Sequence, residues 1–262
     1  MSALSLVPRV SVVIPAKNEA RNIGWVLERM PDFVDEVIIV DGLSSDGTLE
    51  VARMIAPDVI VIHEMRRGKG AAMRAGMDVA RGEYIVLLDA DGSMDPQEIE
   101  RYVEQLDAGF DMVKGSRKLP GGGSTDITWT RDFGNARLRD LANLLFGTNF
   151  TELCYGFVGL RRDVVPLLAL DADGFEIETQ MVTRAVRAGL RIAEVPSVEL
   201  PRRYGESNLN TFRDGWRVLS TIFSERLARG APLVTPTAVP ISVAVPVASG
   251  ESELTAARDD SS

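Results

Sequence analysis

The chain has 262 residues, 45% of them hydrophobic and 26% charged, which is typical of a soluble globular protein with a sizeable core. Its net charge of −9 argues against non-specific binding of nucleic acid, which requires a basic surface. The single cysteine, Cys154, excludes an internal disulfide and fits a reducing compartment. One α/β domain is the expected organisation at this length, although two small domains would also fit.

Predicted strands and helices alternate with short loops along the first 116 residues. Strands are expected at residues 10–14, 36–40, 58–63, 84–88 and 111–114, and helices at residues 19–30, 48–56, 71–80 and 96–106. This alternation predicts a parallel sheet with right-handed crossovers. The predicted fold class is therefore α/β, a single domain whose mostly parallel central sheet carries helices on both faces.

The alternation ends after residue 116. Three consecutive glycines predict a mobile loop at residues 119–130. Strands are expected at residues 156–160 and 191–195, and helices at residues 132–146, 175–188 and 211–229. We expect residues 1–9 to be an N-terminal extension, 10–229 the folded domain and 230–262, rich in Pro, Val and Ser, a disordered tail.

The sequence gives no sign of export or membrane insertion. Residues 1–8 are too short and irregular for a signal peptide. No stretch reaches the roughly 18 uninterrupted apolar residues of a membrane-spanning helix, because three prolines interrupt the apolar residues 233–248. We expect a cytoplasmic location, with peripheral attachment to the inner face of the cell membrane left open.

Two carboxylates separated by one residue follow the predicted strand at residues 84–88. Asp89 and Asp91 therefore stand where open α/β sheets bind ligands, beyond the carboxyl end of a strand. Two such oxygen ligands, with no histidine or cysteine nearby, suit Mg²⁺ or Mn²⁺, which commonly bridge carboxylates to substrate phosphates. The alternative is a polar turn in which an aspartate caps the next helix.

Polar residues also follow the first and second strands. Pro15, Lys17 and Glu19 come after the first, and Asp41 ends the second. Parallel strands bring these ends together, which predicts a pocket with acids for a metal or ribose and helix N-termini for phosphate. The sequence has neither a Gly-x-Gly-x-x-Gly after the first strand nor a Walker lysine motif.

Six motifs in this chain resemble those of family 2 glycosyltransferases of the A-type fold, in the same order. They read PAKNE, VDGLSSDGT, RGKGAA, LLDADGS, GSR and RRYGESNL, and the resemblance covers residues 10–229. Within that family, the chain is similar in particular to the dolichol- and polyprenol-phosphate mannose and glucose synthases. The resemblance implies a metal-dependent, inverting transfer of a hexose from GDP-mannose or UDP-glucose to a polyprenyl phosphate.

The resemblance assigns nucleotide contacts to four residues. Pro15, Lys17 and Glu19 match the segment that holds the base and ribose, and Asp41 matches an acid that contacts them. Relatives often carry a second acid after Asp41, where this chain has Gly42. The identity of the base, guanine or uracil, is therefore left open.

The resemblance places the metal and the diphosphate at the strand-end acids. Asp89, Ala90 and Asp91 match the nucleotide- and metal-binding triplet, and Mg²⁺ or Mn²⁺ is the implied cofactor. Ser93 stands where a glutamine often completes the metal site, so its hydroxyl is a further candidate ligand. Asp91 is also a candidate catalytic residue.

Arg117 and Arg202 match cations near the diphosphate or the acceptor phosphate, and both are candidate catalytic residues. A guanidinium can fork onto two phosphate oxygens. The alternative for either is a solvated surface arginine. The mannose synthases of eukaryotes have a lysine where this chain has Asn208, so one phosphate contact is missing or moved.

Five further residues are candidates for the site. Lys69, between two glycines, could reach a phosphate, although a simple turn lysine would look the same. Glu176 and Glu178 open a predicted helix and could contact the acceptor or act as a base, although acids there also suit the helix dipole. Arg203 and Ser207 are candidate acceptor contacts.

The last predicted helix, residues 211–229, has an apolar stripe flanked by arginines. Phe212, Trp216, Leu219 and Phe223 follow helical spacing. Such a helix could lie on an anionic membrane, or the stripe could cover the sheet as part of the core.

The expected partners are thus a nucleotide sugar and a polyprenyl phosphate, with no nucleic acid. Two other functions remain open. One is transfer to a soluble hydroxyl acceptor, and the other is nucleotidyl transfer or nucleotide-sugar binding without turnover. Release of nucleoside diphosphate, pyrophosphate or neither would distinguish glycosyl transfer, nucleotidyl transfer and binding without turnover.

Overall fold

The computed structural model describes residues 9–125, 127–205 and 211–228. Ser207, Asn208 and the predicted tail at residues 230–262 lie outside these ranges, as does all of the predicted N-terminal extension except Arg9. The proposed domain boundaries stay predictions.

The described residues form nine strands and eight α-helices, which alternate through the first half of the chain. The strands are β1 (Val10–Ala16), β2 (Glu36–Asp41), β3 (Ile60–His63), β4 (Tyr84–Leu87), β5 (Met112–Ser116), β6 (Gly123–Ser124), β7 (Val158–Arg161), β8 (Ile192–Pro196) and β9 (Val198–Glu199). The helices are α1 (Ile23–Glu28), α2 (Thr48–Ile55), α3 (Lys69–Val79), α4 (Ile99–Asp107), α5 (Trp129–Phe146), α6 (Val165–Leu168), α7 (Ile177–Arg187) and α8 (Thr211–Leu227).

Seven strands form the central sheet in the order β3-β2-β1-β4-β7-β5-β8. Among the described strands of this sheet, β7 alone runs against its neighbours, pairing antiparallel with both β4 and β5. The other pairs are parallel, which confirms the predicted mostly parallel sheet. A separate short pair joins β6 to β9.

Helices cover both faces of the sheet, as predicted. Along β1, Val13 belongs to one buried cluster, while Val12 and Ile14 belong to the other. Helices α3, α5, α7 and α8 contribute to the first cluster, and α1, α2 and α4 to the second. The near-continuous apolar strands follow from this burial on two sides.

The glycine-rich segment at residues 119–130, predicted to be a loop, contains part of two regular elements, and its mobility stays a prediction. Gly123 and Ser124 form β6, and α5 already begins at Trp129. A Cβ on Gly122 would lie 2.5 Å from the carbonyl oxygen of Ser116, so this glycine permits close backbone packing.

Helix α8 presents its aromatic stripe to solvent, so the option that this stripe forms core is wrong. Phe212 is 91% exposed and Trp216 is 71% exposed. The opposite face, with Val218 and Ile222, packs into the core.

Candidate active site

A cavity of about 1370 Å³ opens where the parallel strands β1, β2 and β4 end. Helices α5 and α8 supply part of its wall. Most of the residues predicted for the site line this cavity. They are Pro15, Lys17, Glu19, Lys69, Asp89, Ala90, Asp91, Ser93, Arg117, Glu178 and Arg202.

Three predicted residues do not line the cavity. The buried Asp41 carboxylate accepts a hydrogen bond from the backbone N–H of Ser44 at 3.2 Å and lies 3.3 Å from Nδ1 of His63. Glu176 accepts from the backbone of its own loop. Arg203 lies over the Trp25 ring, 5.1 Å from its centroid. A fourth residue, Ser207, lies outside the described residues.

Asp89 is held by an internal cation. Its Oδ1 lies 2.7 Å from Nζ of Lys69, which also contacts Oε1 of Glu178 at 2.9 Å. Burial, together with the carboxylates of Asp91 and Glu178, raises the pKa of Asp89, although Lys69 opposes this shift. A divalent cation would favour the ionised form of Asp89.

Asp91 is held from both sides. Its Oδ1 accepts from the backbone N–H of Ser93 at 2.9 Å and from the Ser93 hydroxyl at 2.6 Å. Its Oδ2 lies 3.1 Å from Nη2 of Arg202. In this structure the Ser93 hydroxyl therefore orients Asp91.

Asp89 and Asp91 can hold Mg²⁺ or Mn²⁺ if the substrate supplies the remaining ligands. Within the described ranges no three His, Cys, Asp or Glu side chains cluster as a metal site. Asp89 and Asp91 could supply two carboxylates, while substrate phosphates and water would complete the coordination, which is how Mg²⁺ is commonly held. A metal there would compete with Lys69 and Arg202.

Lys69 is ion-paired with Asp89 and Glu178, and a contact between Lys69 and a phosphate stays a prediction. Burial alone would lower its pKa, but Asp89 and Glu178 outweigh burial and raise it. A Cβ on Gly156 would lie 2.4 Å from the Lys69 ammonium, so Gly156 leaves space for this ion pair. Lys69 thus fixes Asp89, and Glu178 is itself ion-paired.

Arg117 is buried, with only 3% of its side chain exposed. It donates to Glu152 and Glu199, each at 2.9 Å, and to the carbonyl of Cys154 at 3.1 Å. The two carboxylates overcome burial and raise the pKa of Arg117. These contacts favour a role in positioning the cavity wall, and direct phosphate binding by Arg117 stays a prediction.

Sequence reasoning did not identify several groups of the cavity. Glu64 follows β3 and is ion-paired with Arg66, which lowers its pKa to about 2. The strand-end rule that selected Asp89, applied to β3, would have found it. Arg131 enters from the first turn of α5 and lies between the predicted loop, which ended at residue 130, and the predicted helix, which began at residue 132. Cys154 also lines the cavity, but burial raises its pKa to about 12, so it is a poor nucleophile.

Charges are balanced in the cavity although the whole chain is acidic. Among the described residues, eight acids and eight basic side chains line it. Lys17, Arg67 and Arg131 belong to this lining and make no ion pair within the described part of the chain. The cavity therefore attracts anions better than the rest of the surface does.

A mostly parallel sheet with an acid pair at a central strand end and a phosphate-compatible cavity fits the A-type glycosyltransferase fold. The chain matches the family described as Glycosyl transferase family 2 over residues 11–167, and it belongs to that family. It is therefore a glycosyltransferase, as its motifs predict.

Two curated relatives cover most of the chain. Polyprenol monophosphomannose synthase of Mycolicibacterium smegmatis is 33% identical over 215 residues, 77% of this chain and 81% of the relative. Undecaprenyl-phosphate mannosyltransferase of Micrococcus luteus is 34% identical over 214 residues, 77% of this chain and 88% of the relative.

The fold is also similar to crystal structures of glucosyl-3-phosphoglycerate synthase from Mycobacterium tuberculosis. One has a TM-score of 0.64 and 25% identity, covering 83% of this chain and 80% of that chain. Another, in complex with Mn²⁺, UDP and glucosyl-3-phosphoglycerate, has a TM-score of 0.63 and 23% identity, covering 83% and 79%. Among the described helices, none is long and apolar enough to span a bilayer.

Proposed function

We propose that this glycosyltransferase moves a hexose, with inversion, from a nucleotide sugar to a polyprenyl phosphate. The names of the two curated relatives support a lipid phosphate as acceptor and mannose as the sugar. The cations of the cavity support substrates that carry phosphate groups.

This proposal rests mainly on one observation, that the acidic side chains of the cavity are already engaged in ion pairs or hydrogen bonds. Each of the eight that line it is bound to a basic side chain or to hydrogen-bond donors. They are Glu19, Asp46, Glu64, Asp89, Asp91, Glu178, Glu199 and Asp214.

A hydroxyl acceptor needs a free base to remove its proton as it attacks. Within the described residues the cavity offers no such base, and the predicted candidate Glu178 is paired with Lys69. A phosphate monoester is already ionised near neutral pH, with a second pKa of about 6, so it needs cations instead. Two arginines on the cavity wall can supply them. Arg131 makes no ion pair among the described residues, whereas Arg202 is paired with Glu19 and Asp91 and would have to exchange these partners for phosphate.

The reaction is an in-line displacement at the anomeric carbon. An acceptor phosphate oxygen forms the new bond while the bond to the nucleoside diphosphate breaks, and the configuration inverts. Held by Asp89 and Asp91, Mg²⁺ or Mn²⁺ would neutralise the departing diphosphate. Lys69 and Ser93 keep the two carboxylates in place.

Helices α5 and α8 are proposed to rest on the membrane that carries the acceptor. Both wall the cavity, and both expose large apolar side chains beside arginines. Aromatic side chains surrounded by basic residues suit an anionic lipid surface. The exposed apolar residues are Trp129, Phe133 and Leu144 on α5, and Phe212, Trp216, Phe223 and Leu227 on α8.

The acceptor proposal is tested with Arg202→Ala. We expect nucleoside diphosphate to bind at least as tightly as in the wild type, while release of nucleoside diphosphate driven by polyprenyl phosphate falls at least about tenfold. Binding is followed by thermal shift, where a ligand at about 100 times its Kd adds about 2.7 kcal/mol of stability. Equal loss of donor binding and acceptor use would contradict the role, and release of pyrophosphate would indicate nucleotidyl transfer.

A further inference from the structure

Arg202 occupies an unexpected place for a residue that is to bind an acceptor. Its Nη1 lies 2.9 Å from Oε1 of Glu19 and its Nη2 lies 3.1 Å from Oδ2 of Asp91. The guanidinium therefore bridges the donor side of the cavity to the strand-end acid.

The segment around Arg202 is tied to the chain that follows β1. The Asn22 amide donates both to Oε2 of Glu19 and to the carbonyl of Tyr204, the latter at 3.0 Å. The Arg21 guanidinium lies 4.0 Å from the centroid of the Tyr204 ring. Residues 202–204 thus form a strap across one edge of the cavity.

This strap and Ser93 together engage both oxygens of Asp91. Ser93 donates to Oδ1 and Arg202 pairs with Oδ2. A divalent cation at Oδ2 would therefore compete with Arg202, because two cations at one carboxylate oxygen repel each other. The displaced guanidinium would remain beside the cavity with its donors available.

We propose that Arg202 is an exchangeable cation: it pairs with Asp91 until a divalent metal binds there, and it is then released to the acceptor phosphate. Glu19 is the positioning residue that keeps Arg202 at the cavity in both states. Metal binding and acceptor binding are then coupled through one side chain, and the coupling is reciprocal. The release of Arg202 to an acceptor phosphate rests on the proposed function, whereas the competition between Arg202 and the metal for Asp91 does not.

Mn²⁺ binding to the full-length protein, measured by electron paramagnetic resonance without donor or acceptor, tests the competition. Arg202→Ala should bind Mn²⁺ at least about fivefold more tightly than the wild type, the lower end of typical couplings between sites. Arg202→Gln, which removes the charge but keeps a polar side chain, should do the same. This gain would accompany a loss of turnover.

Arg203→Ala is the matched control. It removes the same charge one residue away, from a side chain that lies over Trp25, and should leave Mn²⁺ affinity unchanged. Unchanged or weaker Mn²⁺ binding by both Arg202 variants would overturn the proposal. Equal tightening by Arg203→Ala would overturn it too, since that would be a general charge effect, and so would the absence of saturable Mn²⁺ binding. None of these results depends on which acceptor the enzyme uses.

Discussion

At the residue scale, the site depends on ion pairs that hold the strand-end acids before any substrate arrives. Lys69 joins Asp89 to Glu178, and Arg202 joins Asp91 to Glu19. Preorganised charges of this kind need little rearrangement when charge develops on a leaving group.

Replacement of Asp91 tests the metal assignment. Asp91→Asn should lower turnover at least about hundredfold, because the amide neither neutralises nor ligates a cation as a carboxylate does. The fold should persist, since the side chain contacts Ser93 and Arg202 at the cavity wall and not the core. Activity and circular dichroism are measured together, and EDTA should abolish wild-type activity. Near-normal activity of Asp91→Asn, or indifference to EDTA, would show that no metal acts there.

At the element scale, helix α3 lies so close to the sheet that a glycine is required. A Cβ on Gly76 would lie 2.3 Å from Cγ1 of Val13 and 2.9 Å from Cγ2 of Val40. This close approach positions the start of α3, and with it Lys69, against Asp89.

Gly76→Ala should destabilise the protein by about 1–3 kcal/mol, the usual cost of overpacking a core. Gly134→Ala in α5 is the matched control, because nothing lies within 4 Å of its added methyl. It should instead stabilise by about 0.5–1 kcal/mol through helix propensity. Urea denaturation measures both, and a loss of stability in both variants would refute the packing argument.

The exposed stripe of α8 makes a second prediction at this scale. Phe212→Ser and Trp216→Ser together should reduce co-sedimentation with vesicles containing anionic phospholipid. Met54→Ser is the control, since Met54 is 80% exposed on α2, a helix on the other face of the sheet. Equal binding by all three proteins would count against a membrane role for α8.

At the scale of the whole molecule, sequence patterns predicted the sheet well. Each of its seven strands begins within two residues of the predicted start. Apolar runs bounded by turn residues carry this information locally. The antiparallel direction of β7 is set by long-range pairing with β4 and β5, which no local pattern contains.

The sequence was sufficient to predict where the candidate site lies, but not which of its side chains contact each other. Strand-end acids and motif cations identified most of the residues that line the cavity, because parallel strands deliver their ends to one edge. The sequence could not show that Lys69 faces Glu178, 109 positions away, or that Arg117 faces Glu199, 82 positions away. Such pairs form only when segments distant in the sequence come together in the fold. The residue types were therefore predictable, but their contacts were not.

We propose above that the enzyme transfers the hexose to a lipid phosphate. The most direct test incubates the full-length protein with Mn²⁺, radiolabelled GDP-mannose or UDP-glucose, and polyprenyl phosphate, with 3-phosphoglycerate as the soluble alternative. We predict that label appears in the organic phase together with nucleoside diphosphate, and only when polyprenyl phosphate is present. Label confined to a water-soluble glycoside, with polyprenyl phosphate inert, would contradict the account.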